Sequence, residues 1–101
     1  MISANSPRFK LGQVVATPAA IETLERLGEN AFDFVARHVR GDWGDICDED
    51  QEANEEALVD GSRILSSYVQ GDDTTKIWII TDAEDDNGNR LATTVMLAEE
   101  Y

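Results

Sequence analysis

One cysteine, one histidine and two prolines are spread over 101 residues, and only eight Lys or Arg stand against 21 Asp or Glu. Each scarcity excludes something. A lone Cys47 cannot close an internal disulfide and lacks the companions of a zinc site, which fits a reducing compartment. Asp45, Asp48, Glu49 and Asp50 surround it and oppose thiolate formation, so it is a poor nucleophile. A single histidine, His38, cannot supply the base and orienting partner that hydrolytic catalysis needs. Apolar runs are only a few residues long, as at Trp78-Ile79-Ile80, where a bilayer helix needs about 18 or more. The start, MISANSPRFKLG, has neither the apolar stretch of a secretory signal nor the arginines of a transit peptide. Together these absences predict a cytoplasmic protein with no membrane segment.

A composition of 42% hydrophobic residues with two Trp, three Phe and two Tyr is enough for a modest core and too rich for a disordered chain. The length suits one domain over 1–101. Charge is unevenly placed: residues 1–40 carry four acids and five bases, net +1, and residues 41–101 carry seventeen acids and three bases, net −14. Such a field favours encounter with basic partners and disfavours direct contact with nucleic acid or anionic lipid.

The stretch RFKLGQVVAT, residues 8–17, reads as a strand or extended arm with a kink near Gly12. Thr17 before Pro18 is a helix start, since the hydroxyl can cap free amides and Pro is preorganised for the first turn. Ala20, Ile21, Leu24 and Leu27 give that helix its apolar side, and Gly28 stops it. Asn30 with Asp33 three residues on begins a second helix. Its Phe32, Val35, Ala36 and Val39 fall at i, i+3, i+4 and i+7. That phase buries Phe32 and leaves His38 facing solvent. Arg37 and Arg40 lie in its last turn, where cations complement the carbonyl end, and Gly41 ends it.

Residues 42–47 form a turn with Trp43 and Ile46 as the groups to pack, although Trp43 borders an acidic run and could instead rim a partner site. From Asp48 to Asp60 the pattern is helical and weakly amphipathic, with Ala53, Ala57 and Leu58 as its apolar members and Gly61 as its stop. Three strand signals follow, at 62–70, 74–81 and 91–98. GDD at 71–73 reads as a tight hairpin, and Asn87-Gly88 as the centre of a type I′ turn with an acidic tip. Trp78, in a central-looking strand, is assigned to the core. The fold class expected is α+β: a small antiparallel sheet, made of a three-stranded C-terminal meander plus an N-terminal strand, covered by two to three helices. Exposed edges of so small a sheet leave a homodimer open.

At VARHVRGDWGD (35–45), IWIITDA (77–83) and TTVMLAEEY (93–101), the chain resembles a family of small uncharacterised bacterial proteins common on plasmids, integrated elements and related mobile DNA. Its members are often labelled plasmid-related or, loosely, type I restriction methyltransferase subunits. The similarity runs over roughly residues 10–101, and DDNGN departs from the tighter connection usual in the family. About 100 residues leave no room for a methyltransferase domain, and no Gly-rich loop for a methyl donor is present, so that activity is set aside. The resemblance implies a genomic setting, mobile DNA facing host defences, and carries over no catalytic residue.

Residues 41–62 hold nine carboxylates and no base. As an EF-hand, the other acidic segment, DAEDDNGNRLAT, offers Asp82, Glu84 and Asp86 at the first three ligand positions but Asn87 where Gly belongs and Thr93 where Glu belongs. The run 45–50 could hold a divalent ion weakly, yet a solvated helix start predicts the same letters. No cofactor is implied. In a helix over 48–60, Asp48, Glu52, Glu56 and Asp60 line up at i,i+4 steps with Glu49 and Glu55 on the flanks. Each like-charge step costs roughly 0.2–0.5 kcal/mol, on the order of 1 kcal/mol for the row. Such a row is a rough copy of a phosphate backbone.

The favoured expectation is therefore a non-enzymatic nucleic-acid mimic of anti-restriction or anti-CRISPR type. It would offer Asp42, Trp43, Asp45, Asp48, Glu49, Glu52, Glu55, Glu56 and Asp60 to a basic nucleic-acid-binding channel of a host defence complex. The alternatives are a generic acidic surface without a partner, a small metal-dependent enzyme using acids of residues 42–52, and an antitoxin-like acidic partner of a basic protein.

Overall fold

The computed structural model describes residues 7–70 and 74–101. The order is β1 (Gln13–Ala16), α1 (Pro18–Arg26), α2 (Ala31–Val39), α3 (Asp48–Asp60), β2 (Ile64–Val69), β3 (Lys76–Thr81) and β4 (Ala92–Leu97), closed by a 3-10 turn at Ala98–Glu100. The four strands form one sheet in the order β1-β4-β3-β2. β2, β3 and β4 are the antiparallel meander, and β1 joins β4 in parallel. This is the α+β arrangement expected, with a mixed sheet. The hairpin expected at 71–73 lies outside the described residues.

Local chemistry sets the element ends. The Thr17 hydroxyl accepts from the Ala20 amide at 3.1 Å, and Pro18 opens α1. The Asn30 side chain accepts from the Phe32 amide at 2.9 Å and starts α2. Gly61, at φ +83°, ends α3 in the left-handed region. The kink at Gly12 is real and forced: φ is +64°, and a Cβ there would lie 2.3 Å from the Arg90 carbonyl oxygen.

Strand alternation sends Ser66 and Tyr68 of β2, Ile77, Ile79 and Thr81 of β3, and Thr93, Val95 and Leu97 of β4 toward the helices. Ala20, Leu24, Phe34 and Val35 meet Tyr68, Ile77, Ile79, Val95 and Leu97 in the main core. A second cluster joins Trp43, Ala57 and Ile64 with Phe9, Ile46 and Leu58, and seats α3 beside β2.

Two expectations about facing and one about a turn are corrected. α2 is rotated from the expected phase: it buries Phe34, Val35 and His38, and Phe32 is 73% exposed. The reason is that His38, counted as polar and outward, is fully buried and satisfied. Its Nδ1 lies 2.6 Å from Ser66 Oγ and its Nε2 2.8 Å from Thr81 Oγ1, and Thr81 continues to Thr93 Oγ1 at 2.7 Å and thence to the Leu11 carbonyl. Burial pushes the imidazole pKa down to about 3. Trp78 points away from the helices and is half-buried under Tyr101, at 5.3 Å between ring centroids. Lastly, the β3-β4 turn is centred one residue earlier than Asn87-Gly88. The Gly88 amide donates to the Asp85 carbonyl, and the Asp85 carboxylate accepts from the Asn87 and Asn89 amides, which fixes the turn around Asp86-Asn87.

Candidate functional site

The acidic segment falls on one end of the molecule, along the outer edge of β2. That edge is closed by the segment itself. Gly44 bridges Ser67, with the Asp45 amide donating to the Ser67 carbonyl at 2.6 Å and the Ser67 amide to the Trp43 carbonyl at 3.1 Å. Gly44 is required here: its φ is +75°, and a Cβ would meet the Ser67 oxygen at 2.2 Å. The Asp45 carboxylate accepts from the Val69 amide at 2.9 Å, and the Tyr68 hydroxyl donates to the Asp42 carbonyl at 2.7 Å.

α3 runs beside this edge for 13 residues, about 20 Å at 1.5 Å per residue. Its contact stripe is narrow, with Asn54 and Ala57 buried and Leu58 half-buried. Ala53, expected on that stripe, is exposed. At 100° per residue, Asp48, Glu52, Glu56 and Asp60 drift by about 40° per step and occupy the side opposite the stripe. All four are exposed, as are Glu49 and Asp50. Val59, 90% exposed, sits among them. Asp48, Gln51, Glu52, Glu55 and Glu56 border an open hollow of about 510 Å³.

Not all the carboxylates are free. Glu55 accepts two bonds from the Arg8 guanidinium, at 2.7 and 3.1 Å, and a third from Trp43 Nε1 at 3.0 Å. Arg8 holds its carboxyl below the usual range. Asp42 is likewise held low by Arg37, whose Nε donates to it at 2.8 Å. The Ser62 side chain, and after it the Ser62 amide, which donates at 2.9 Å, hold the Asp60 carboxyl below its usual range as well. Asp42, Asp45 and Glu55 are thus occupied in holding the fold. Trp43 is only 5% exposed, stacked on Phe9 at 6.1 Å between centroids, so its ring is core and not rim. The expected nine-residue surface contracts to Asp48, Glu49, Glu52, Glu56 and Asp60; Asp50, though exposed, lies one turn before Asn54 on the side of the contact stripe.

Two arginines that sequence reasoning passed over set this surface. Arg8 clamps Glu55. Arg90, 8% exposed, donates to the carbonyls of Ala57 at 3.0 Å, Ser62 at 2.7 Å and Asp82 at 3.0 Å. Its charge sits under the carbonyl end of α3, where a cation is favoured. The available signal was its isolation, since Arg90 is the one base in residues 77–101. Ion pairs among the described residues are Arg8–Glu55 and Arg37–Asp42, so none reaches the outward row.

Comparison with family models, curated proteins and solved structures gave no match. Chemistry must therefore be argued from the site. Among the described residues no three His, Cys, Asp or Glu converge as metal ligands, which includes the acids of residues 42–52. Cys47 is exposed at the start of α3, and His38 is sealed inside. No helix among the described residues is long and apolar enough to cross a membrane. What the surface offers is a fixed, closely spaced array of oxygen acceptors.

Proposed function

We propose that this chain is a non-enzymatic acidic interaction protein of the cytoplasm. Its α3 mimics a nucleic-acid backbone and occupies a basic nucleic-acid-binding channel of a host defence complex, of restriction or CRISPR type. The observation that carries the reading is the outward row Asp48, Glu52, Glu56 and Asp60, exposed and ion-paired with no basic side chain among the described residues. The five outward carboxylates, Asp48, Glu49, Glu52, Glu56 and Asp60, amount to roughly one per 4 Å of the axis of α3. A nucleic-acid strand carries one charge per about 3.4 Å and a duplex one per about 1.7 Å. The density suits a groove built for phosphate. The likeness of three sequence blocks to proteins of plasmids and other mobile DNA supports the same setting, in which blocking a host nuclease is useful.

Capture from host lysate on immobilised protein at low salt is the test. One dominant basic complex should bind, elute steeply as salt rises, and be displaced by duplex DNA or guide RNA. A variant with Asp48→Asn, Glu52→Gln and Glu56→Gln, which spares the structural Asp42, Asp45 and Glu55, should lose it. Undiminished capture by that variant would end the reading.

A further inference from the structure

The sheet leaves one of its two edges open. Along β2 the outward backbone groups are met by residues 42–45 and by Asn54, whose amide pairs with Leu65. Along β1 the Gln13 amide donates to Leu91 and the Thr17 amide to Val95, both at 3.0 Å, so in this parallel ladder Val14 and Ala16 turn their N–H and C=O away from β4. No described residue bonds those groups. Val14 and Ala16 stand opposite Thr93 and Val95, which point toward the helices, and their side chains share that face. They form one wall of an apolar groove of about 460 Å³, and Ile21, Phe32 and Val35 form the other. Ile21 and Phe32 are left exposed there.

Charge decides what suits this groove. Glu25 and Glu29 line it, no Lys or Arg does, and neither carboxylate joins an ion pair among the described residues. Residues 14–35, which supply all of the lining except Val95, hold four acids, Glu22, Glu25, Glu29 and Asp33, against Arg26 alone, a net of −3. A second copy would bring like charge against like, on a chain already at −13. A partner that carries bases meets both carboxylates instead.

We propose that β1 takes up an extended peptide segment of a basic partner, added antiparallel as a further strand. Two apolar residues of that segment, two positions apart, lie opposite Val14 and Ala16 and exchange backbone bonds with them. Opposed side chains of such a pair share a face, so both apolar groups enter the groove. The next residues on the same face are Lys or Arg, whose long stems cross the apolar wall and carry their charge to Glu25 and Glu29. Backbone bonds supply the grip, the apolar pair sets the register, and the bases select the partner. β1 and β2 are the outer strands of the sheet, so this site lies at the far edge from α3 and does not rest on the reading of the acidic row.

The probe is a dye-labelled synthetic peptide, Lys-Thr-Val-Thr-Val-Thr-Lys, titrated with the full chain at low salt and followed by fluorescence anisotropy. N-methylation of its two valine amides removes bonds to β1 and should abolish binding, whereas N-methylation of the threonine amides, which face away, should be tolerated. Glutamates in place of its lysines should abolish binding too. Glu25→Gln with Glu29→Gln should weaken it about three- to tenfold. Phe32→Ala, at a side chain exposed enough to leave the fold intact, should weaken it about tenfold. The variant with Asp48→Asn, Glu52→Gln and Glu56→Gln should bind as the parent does. The proposal is overturned if no binding is seen up to about 1 mM, or if both N-methylated peptides bind alike. It is equally overturned if only the α3 variant loses the peptide, which would place it on the acidic row. Sedimentation at twice the 11.2 kDa of one copy, with β1 amides protected from exchange before any peptide is added, would give the edge to a second copy and end the proposal.

Discussion

Asn54 on α3 pairs with the backbone of Leu65 on β2 through both ends of its amide: Nδ2 donates to the Leu65 carbonyl at 2.7 Å, and Oδ1 accepts the Leu65 N–H at 3.1 Å. A side chain thus stands where a fifth strand would. This is how a helix with so little apolar surface stays docked. Asn54→Ala orphans both groups and should cost about 2–3 kcal/mol in urea unfolding. Asn54→Asp, which presents an oxygen to the Leu65 carbonyl, should be at least as damaging. A loss under about 0.5 kcal/mol in both would show that the pairing contributes little.

His38 makes stability depend on pH. Its pKa is about 3 in the fold and about 6.5 in an unfolded chain. Between those values the unfolded state binds the extra proton, so stability falls as pH falls, by up to ~1.4 kcal/mol per unit. His38→Leu should be less stable than the parent at pH 7 by about 1–3 kcal/mol, because Ser66 loses its partner. Near pH 4 it should equal or exceed the parent. Parallel stability curves for the two proteins from pH 7 to 4 would contradict the assignment.

Arg90 is held by three carbonyls, and no carboxylate among the described residues pairs with it. Arg90→Met should cost about 2–4 kcal/mol. Arg90→Lys should recover only part of that, since an ammonium lacks the planar fork. Thermal unfolding of the pair checks this, and equal midpoints for Arg, Lys and Met would remove the role.

Repulsion along α3 should be visible without any partner. Glu52→Gln or Glu56→Gln each relieves two like-charge i,i+4 steps and should raise stability by about 0.4–1 kcal/mol at low salt. The gain should shrink at molar salt, where screening acts within a few ångströms. A gain that is independent of salt would point to helix propensity instead.

Helix and strand positions were legible because capping and stop residues are local: Thr17-Pro18, Asn30 and Gly61 act on amides within a turn or two. The phase of α2 was not, since it depends on partners far along the chain. Read alone, His38 is polar and belongs outside. Its burial becomes legible only with Ser66, Thr81 and Thr93, which interrupt the inward rows of three strands and need an internal partner. Trp43 was read as a group to pack and also as a rim for a partner; its burial bears out the first, and the second failed because its acidic neighbours describe the chain and not the space around the ring. The acidic row itself was legible, being a matter of spacing on one helix. Which acids were committed elsewhere depended on Arg8 and Arg37, and the Arg8–Glu55 pair spans 47 positions.

Arg90 beneath one end of α3 and Asn54 at its middle leave this helix little freedom to splay. A floppy acidic tail of equal composition would have to surrender roughly 1–2 kcal/mol of backbone entropy per residue on being gripped. Here that loss is taken when the domain folds, so whatever meets the surface finds a stencil whose pitch is already cut.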